Sequence, residues 1–134
     1  MNILLDTHII LWALNDDCQL PPKAKQLILN RENRIFFSVI SLWEIEIKRL
    51  KQPAFINMTA KKVSTLCKSA GYTFIPLKEE PVHQLQYLKR KPAQPQHKDP
   101  FDKMLLCQAV SENMFFLTHD SLINGYDSKN IIFV

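Results

Sequence analysis

The sequence predicts an α/β fold in which a parallel sheet is covered by helices on both faces. Three observations carry that expectation. Short, continuous apolar runs recur at Ile3-Leu4-Leu5, Ile35-Phe36-Phe37 and Phe115-Phe116-Leu117, and strands buried on both faces have this character. Longer stretches with helical punctuation stand between the runs, which is the alternation of βαβ units. The first run ends at Asp6 and the last leads through Thr118 to His119-Asp120. Acids therefore follow strand ends, where open α/β sheets bind their ligands.

Residues 2–6 read as the first strand and 7–15 as a helix entered through Thr7. Pro21-Pro22 marks a break. Pro22 suits the first position of a helix over 22–31, because its missing N–H would have no partner there anyway. Residues 35–38 form the second strand. The helix over 39–51 is apolar on much of its circumference, with Lys48, Arg49 and Lys51 in its last turns, where the helix dipole favours cations. Pro53 lies just past its end. Thr59 is expected to cap a helix over 60–70, with Gly71 just beyond that helix. The third strand runs from Thr73 to Leu77, and Pro76 places it at the sheet edge. A helix over 79–90 follows, then a loop over 91–98 that contains Pro92 and Pro95. Asp99-Pro100 opens a helix running to Asn113. Phe115 to Thr118 is the fourth strand, and after a short helical turn Ile131 to Val134 is the last.

A chain of 134 residues suits one domain, residues 1–134, around one core. Its 46% apolar and 22% charged residues exclude a disordered chain. Only 2 glycines are present, so no glycine-rich phosphate loop can be written. The net charge of +4 favours an anionic partner such as nucleic acid. Cys18, Cys67 and Cys107 are odd in number and far apart, which disfavours disulfides and thiolate zinc and fits a reducing, cytoplasmic setting. Asp6 and His8 interrupt the N-terminal apolar region, no cationic residue precedes it, and no small-residue cleavage site follows, so a signal peptide is not expected. No apolar run is long enough for a membrane span.

The carboxylates singled out are Asp6, Glu44, Asp99, Asp102 and Asp120. If the strands before Asp6 and Asp120 are neighbours, about 5 Å apart, the two acids face one crevice. Glu44 sits on its helix among Ile40, Ser41, Ile47 and Lys48. The plain reading is an ion pair with Lys48 at i+4. Glu46 lies about 200° round the helix from Glu44, so both cannot enter one site. Asp99 has the position of an N-cap and Asp102 lies in the first turn, where the dipole also favours an acid. Clustered carboxylates repel. Two unit charges ~4 Å apart cost about 4 kcal/mol at an effective dielectric near 20. Such a set needs protons or cations, and hard oxygen donors suit Mg²⁺ or Mn²⁺. With a basic chain, metal-assisted phosphodiester hydrolysis is the economical expectation.

Four motifs then match a known family: Leu4-Leu5-Asp6-Thr7-His8, Ser38-Val39-Ile40-Ser41-Leu42-Trp43-Glu44-Ile45, His97-Lys98-Asp99-Pro100-Phe101-Asp102-Lys103 and Leu117-Thr118-His119-Asp120. In that order, over nearly the whole chain, they resemble the PIN-domain ribonucleases, in particular the VapC-type toxins of type II toxin–antitoxin pairs. The resemblance implies a three-layer PIN fold with a parallel sheet in the order 3-2-1-4-5. It implies that Asp6, Glu44, Asp102 and Asp120 are catalytic and hold one or two Mg²⁺ or Mn²⁺ ions, which activate water against an RNA phosphate. Asp99 is a further candidate ligand. Lys103 stands where similar sequences often carry arginine, which keeps the charge but loses a bidentate phosphate grip. A protein antitoxin and a homodimer are also implied.

Other residues have a plainer expectation beside the functional one. Thr7 either caps its helix or supports a metal water. His8, His97 and His119 lie near the acids, but oxygen-rich Mg²⁺ sites rarely need imidazole. Lys89-Arg90-Lys91 and Lys98 either track phosphates or form a solvated helix end. Trp12, Trp43 and Phe101 are expected in the core, with a dimer surface as a second use for Trp12. A receiver-like domain should carry an aspartate after the third strand, where Pro76-Leu77-Lys78 stands. An aspartyl-nucleophile phosphatase needs an aspartate where His8 stands. The serious rival is a PIN-like RNA- or partner-binding module without catalysis. All four acids of the family pattern are present, which argues against that decay.

Overall fold

A computed structural model describes the chain from Met1 to Val134. Five strands form it: β1 (Asn2–Leu5), β2 (Arg34–Ser38), β3 (Thr73–Ile75), β4 (Phe115–Thr118) and β5 (Ile131–Phe133). All pair in parallel, in the order β3-β2-β1-β4-β5. Leu4 stands opposite Phe36 on one side and Phe116 on the other. After β3 the chain returns to the far side of β1, so the topological switch point falls between β1 and β4.

The helices are α1 (Thr7–Leu14), α2 (Pro22–Leu29), α3 (Val39–Lys51), α4 (Ala60–Ser69), α5 (Glu80–Gln84), α6 (Pro100–Ser111) and α7 (Ser121–Asn124). Alternation along the strands sorts the core into two halves. Ile3, Leu5, Ile35 and Phe37 pack with Ile9 and Ile10 of α1, Ile45 of α3 and Val63 of α4. Leu4, Phe36 and Phe116 point the other way, onto Leu105, Leu106 and Ala109 of α6 and Ile40 of α3. Because α3 contributes to both halves, it is fixed against both layers at the carboxyl edge of the sheet. No helix is long and apolar enough to cross a membrane.

Several boundaries differ from the sequence reading, each for a local reason. The second helix stops at Leu29, because Asn30 turns extended. β3 stops at Ile75, and Pro76 follows the strand, its carbonyl accepting from Gln108 Nε2 at 2.8 Å. The helix expected over 79–90 is confined to α5 and a 3₁₀ turn at Leu85–Tyr87. Beyond it, Lys91 N–H donates to Gly125 and Asp127 N–H donates to Lys89, both at 2.8 Å, with an antiparallel bridge between Arg90 and Tyr126. This pairing takes the backbone groups that a helix would need. Trp43 is not core: it is 60% exposed and lies edge-on to Phe101, with ring centroids 5.0 Å apart. Trp12 and Phe101 are half-buried against the two core halves. The three cysteines are free thiols.

The end of α4 follows from one glycine. Gly71 N–H donates to Lys68 at 3.0 Å and Tyr72 N–H to Cys67 at 2.9 Å, closing the helix with Gly71 at φ 90°. A Cβ at Gly71 would meet no atom within 4 Å, so substitution there tests backbone conformation alone. Gly71→Ala should lower stability by about 1 kcal/mol in urea or thermal melts. An unchanged midpoint would contradict the left-handed assignment.

Candidate metal centre at the sheet edge

The carboxyl ends of β1 and β4 are neighbours, and each leads directly to an acid. Asp6 is buried. Its Oδ1 accepts from Thr7 N–H at 2.7 Å, capping α1, and its Oδ2 accepts from the Thr118 hydroxyl at 2.7 Å. The same Thr118 oxygen accepts from Asp120 N–H at 3.0 Å. Thr118 therefore ties the two strand-end acids together, a role the sequence reading did not assign. Asp120 spends Oδ1 on Leu122 N–H, at 2.9 Å, as the cap of α7.

The cap of α1 is thus Asp6 and not Thr7. Thr7 is the first helical residue, and its buried hydroxyl lies 2.6 Å from Glu44 Oε1 and 2.9 Å from Ser41 Oγ. Glu44, in the second turn of α3, is 1% exposed. The expected ion pair is present, with Lys48 Nζ 2.5 Å from Glu44 Oε2. Glu46 points elsewhere. It grips Arg49 at 2.8 and 3.0 Å and accepts from Ala60 N–H at 3.0 Å, fastening α4 to α3.

At the start of α6, Asp99 Oδ1 accepts from Phe101 N–H at 2.9 Å and Asp102 N–H at 3.2 Å, so Asp99 is the cap. Capping does not remove it from the centre. The ligating atoms of Glu44, Asp99 and Asp102 lie within 4.8 Å of one another. So do those of His97, Asp102 and Asp120. Asp102 belongs to both groups. His97, in a loop that carries no periodic signal, is buried. Its Nε2 lies 3.3 Å from Asp102 Oδ2, and its Nδ1 lies 2.8 Å from the Tyr126 hydroxyl.

The other histidines and the basic run are placed differently. His119 turns its Nδ1 to the carbonyl of Val134. His8 is exposed and tilts against Trp12, with ring centroids 5.9 Å apart. Arg90 donates to the carbonyls of Pro95 and Leu122 at 2.9 and 2.5 Å, and Lys91 to that of Asn124 at 3.1 Å. These two cations lock the loop before His97 onto α7. The solvated helix end does not describe them, because no helix reaches residues 89–91.

Burial and mutual repulsion set the electrostatics. Burial pushes the Asp102 carboxyl up to about 8, and the charges of Asp6, Asp99, Glu44 and Asp120 add to the rise. Burial also lifts Asp6 to about 6, against the Thr118 hydroxyl, His8 and the Thr7 N–H, which favour its charge. Burial lowers the His97 imidazole, although Asp120 and Asp99 oppose this. At neutral pH Asp102 therefore keeps its proton, which it can donate to a neutral His97 whose other nitrogen faces Tyr126. A divalent cation fits this donor set: oxygen donors dominate, and burial, with the neighbouring acids adding to it, holds Asp102 and Asp6 back from ionising. Glu44 and Asp99 on one side and Asp120 and His97 on the other are within ligand reach of Asp102; Asp6 belongs to neither group, although its charge acts on Asp102.

A parallel sheet with buried carboxylates gathered at its switch point defines an α/β protein with an acidic, metal-compatible centre. More narrowly, the chain belongs to the PIN domain family, whose model matches residues 3–128. Its fold is similar to a chain of the VapBC2 complex from Rickettsia felis, a structure bound to a DNA fragment from the promoter. That match has 18% identity and a TM-score of 0.65, covering 100% of this chain and 98% of that one. It is also similar to a chain of VapBC-1 from nontypeable Haemophilus influenzae, at 18% identity and a TM-score of 0.54, covering 90% and 88%. No curated protein matches the sequence.

The raised carboxyls fix a sign for stability. Asp102 at about 8 and Asp6 at about 6 both lie above the ordinary value of 3.8. Between those limits the folded state binds more protons than the unfolded one, so stability falls as pH rises. In EDTA, melting temperature should drop between about pH 5 and pH 8, and Asp102→Asn should flatten the decline. A metal-free protein that gains stability over this range would contradict the arrangement.

Proposed function

We propose that the chain is a metal-dependent ribonuclease, hydrolysing RNA phosphodiester bonds, and the toxin component of a toxin–antitoxin pair. The observation that carries the chemistry is Asp102, shared by two groups of ligating atoms and reluctant to ionise without a cation. Asp6, Glu44, Asp102 and Asp120 are assigned as the catalytic, metal-holding residues, with Asp99 as a fifth donor through the oxygen its cap does not use. Bound Mg²⁺ or Mn²⁺ supplies Lewis acidity toward a phosphate oxygen and lowers the pKa of water.

The chain's own residues do the positioning. Thr118 holds Asp6 and Asp120 at a fixed separation, and Thr7 orients Glu44. Tyr126 orients His97, whose Nε2 faces the carboxyl of Asp102 that keeps its proton until positive charge replaces it. The net charge of +4 supports a polyanionic substrate. Membership of a family of nucleases supports hydrolysis. The fold likeness to chains of VapBC complexes supports a protein antitoxin as partner. A homodimer in the cytoplasm completes the proposal.

Purified protein should cut single-stranded RNA in Mg²⁺ or Mn²⁺ and stop in EDTA. Asp102→Asn should lower the rate at least on the order of 100-fold while remaining folded. Cleavage undiminished by chelator would contradict metal dependence. A folded protein that binds RNA in Mg²⁺ without cutting it would favour the binding-module reading.

A further inference from the structure

Lys48 occupies an unusual place for a helix-surface lysine. It lies one turn beyond Glu44 on α3, and its side chain is 44% exposed while that of Glu44 is 2% exposed. Its stem starts at the surface, and its ammonium ends 2.5 Å from a buried carboxylate oxygen. The charges of Asp99 and Asp102, like that of Glu44, act on that ammonium. Glu44, Asp99 and Asp102 are the same three acids whose ligating atoms lie within 4.8 Å of one another. One protein cation therefore stands against the carboxylates assigned to a metal.

The surroundings give the ammonium somewhere else to go. Lys48 also lines a groove of about 630 Å³ that includes His8, Asn15, Asp17, Gln19 and Gln52. The groove mixes these polar groups with apolar side chains such as Trp12, Phe55 and Met58 and is open to solvent, so the head can leave Glu44 by rotating its own flexible stem, with α3 unmoved. The oxygens of Asp17, Asn15, Gln19 and Gln52 line the same groove as acceptors.

We propose that Lys48 is a built-in counter-cation: it neutralises Glu44 in the metal-free protein and is exchanged for the divalent ion, moving into the adjacent groove as the ion enters. The inference rests on the metal-centre reading above. Lys48 opposes metal binding and at the same time keeps the empty acid cluster folded. An ordinary i,i+4 surface pair would do neither, because a pair facing only water leaves affinity at a distinct site unchanged.

Calorimetric titration with Mn²⁺ and Mg²⁺, together with melts in EDTA, on wild type, Lys48→Met and Lys48→Arg tests this. Lys48→Met should bind Mn²⁺ at least tenfold more tightly and melt at a lower temperature in EDTA. Lys48→Arg, which keeps the charge, should return affinity toward wild type. Equal or weaker Mn²⁺ binding by Lys48→Met overturns the exchange and leaves the metal centre standing. Binding to none of the proteins overturns both. If Lys48→Met does not fold without metal, the side-chain ammonium ¹⁵N signal of Lys48 in wild type decides. It should change from a carboxylate-bonded to a solvated signal as Mg²⁺ saturates the protein, and an unchanged signal overturns the proposal.

Discussion

Repulsion among buried carboxylates at the carboxyl edge of β1 and β4 is the constraint on which the rest of the arrangement depends. Two unit charges ~4 Å apart cost about 4 kcal/mol at an effective dielectric near 20, and this cluster holds more than two. The fold offsets that cost with proton retention on Asp102, hydroxyl donors from Thr7 and Thr118, and one lysine against Glu44. A divalent cation replaces these partial measures with a single full one. Affinity for metal and tolerance of its absence are set by the same few contacts.

Backbone architecture contributes as well. Asp6, Asp99 and Asp120 each cap a helix through Oδ1. Capping places an acid where backbone N–H groups and the helix dipole favour negative charge; the second oxygen of Asp99 and of Asp120 is left for a ligand, while that of Asp6 accepts from Thr118. Ser38 caps α3 in the same way at the end of β2, so helix starts converge on one edge of the sheet. Structural and functional readings of these aspartates are therefore not alternatives. At Asp99 the geometry shows both a cap and a place in the carboxylate group.

The parts legible in the sequence are those with a repeating physical signal. The runs at Ile3-Leu4-Leu5 and Phe115-Phe116-Leu117 announce central strands because both of their faces are buried. Glu44 could be separated from Glu46 because helix geometry turns them about 200° apart. The strand order came with the family resemblance and not from any pattern in the residues. His97 was expected near the acids and is there, but its contacts and those of Thr118 were illegible, for different reasons. His97 lies in an aperiodic loop whose course is set by Arg90 and Lys91 bonding to distant carbonyls. Thr118 ends an apolar strand, and only the pairing of β1 with β4 brings it to Asp6. The segment after Gln84 was misread as helix because its competitor, the pairing with residues near Tyr126, is far away in the chain.

Calorimetric titration of metal-free protein with Mn²⁺ at pH 7, in two buffers of different ionisation enthalpy, tests the central claim most directly. If positive charge is what the cluster lacks, binding must expel the proton that Asp102 holds at about 8. The account predicts saturable binding whose heat changes between the buffers by an amount corresponding to net proton release. No binding, or binding with no proton released, would contradict it.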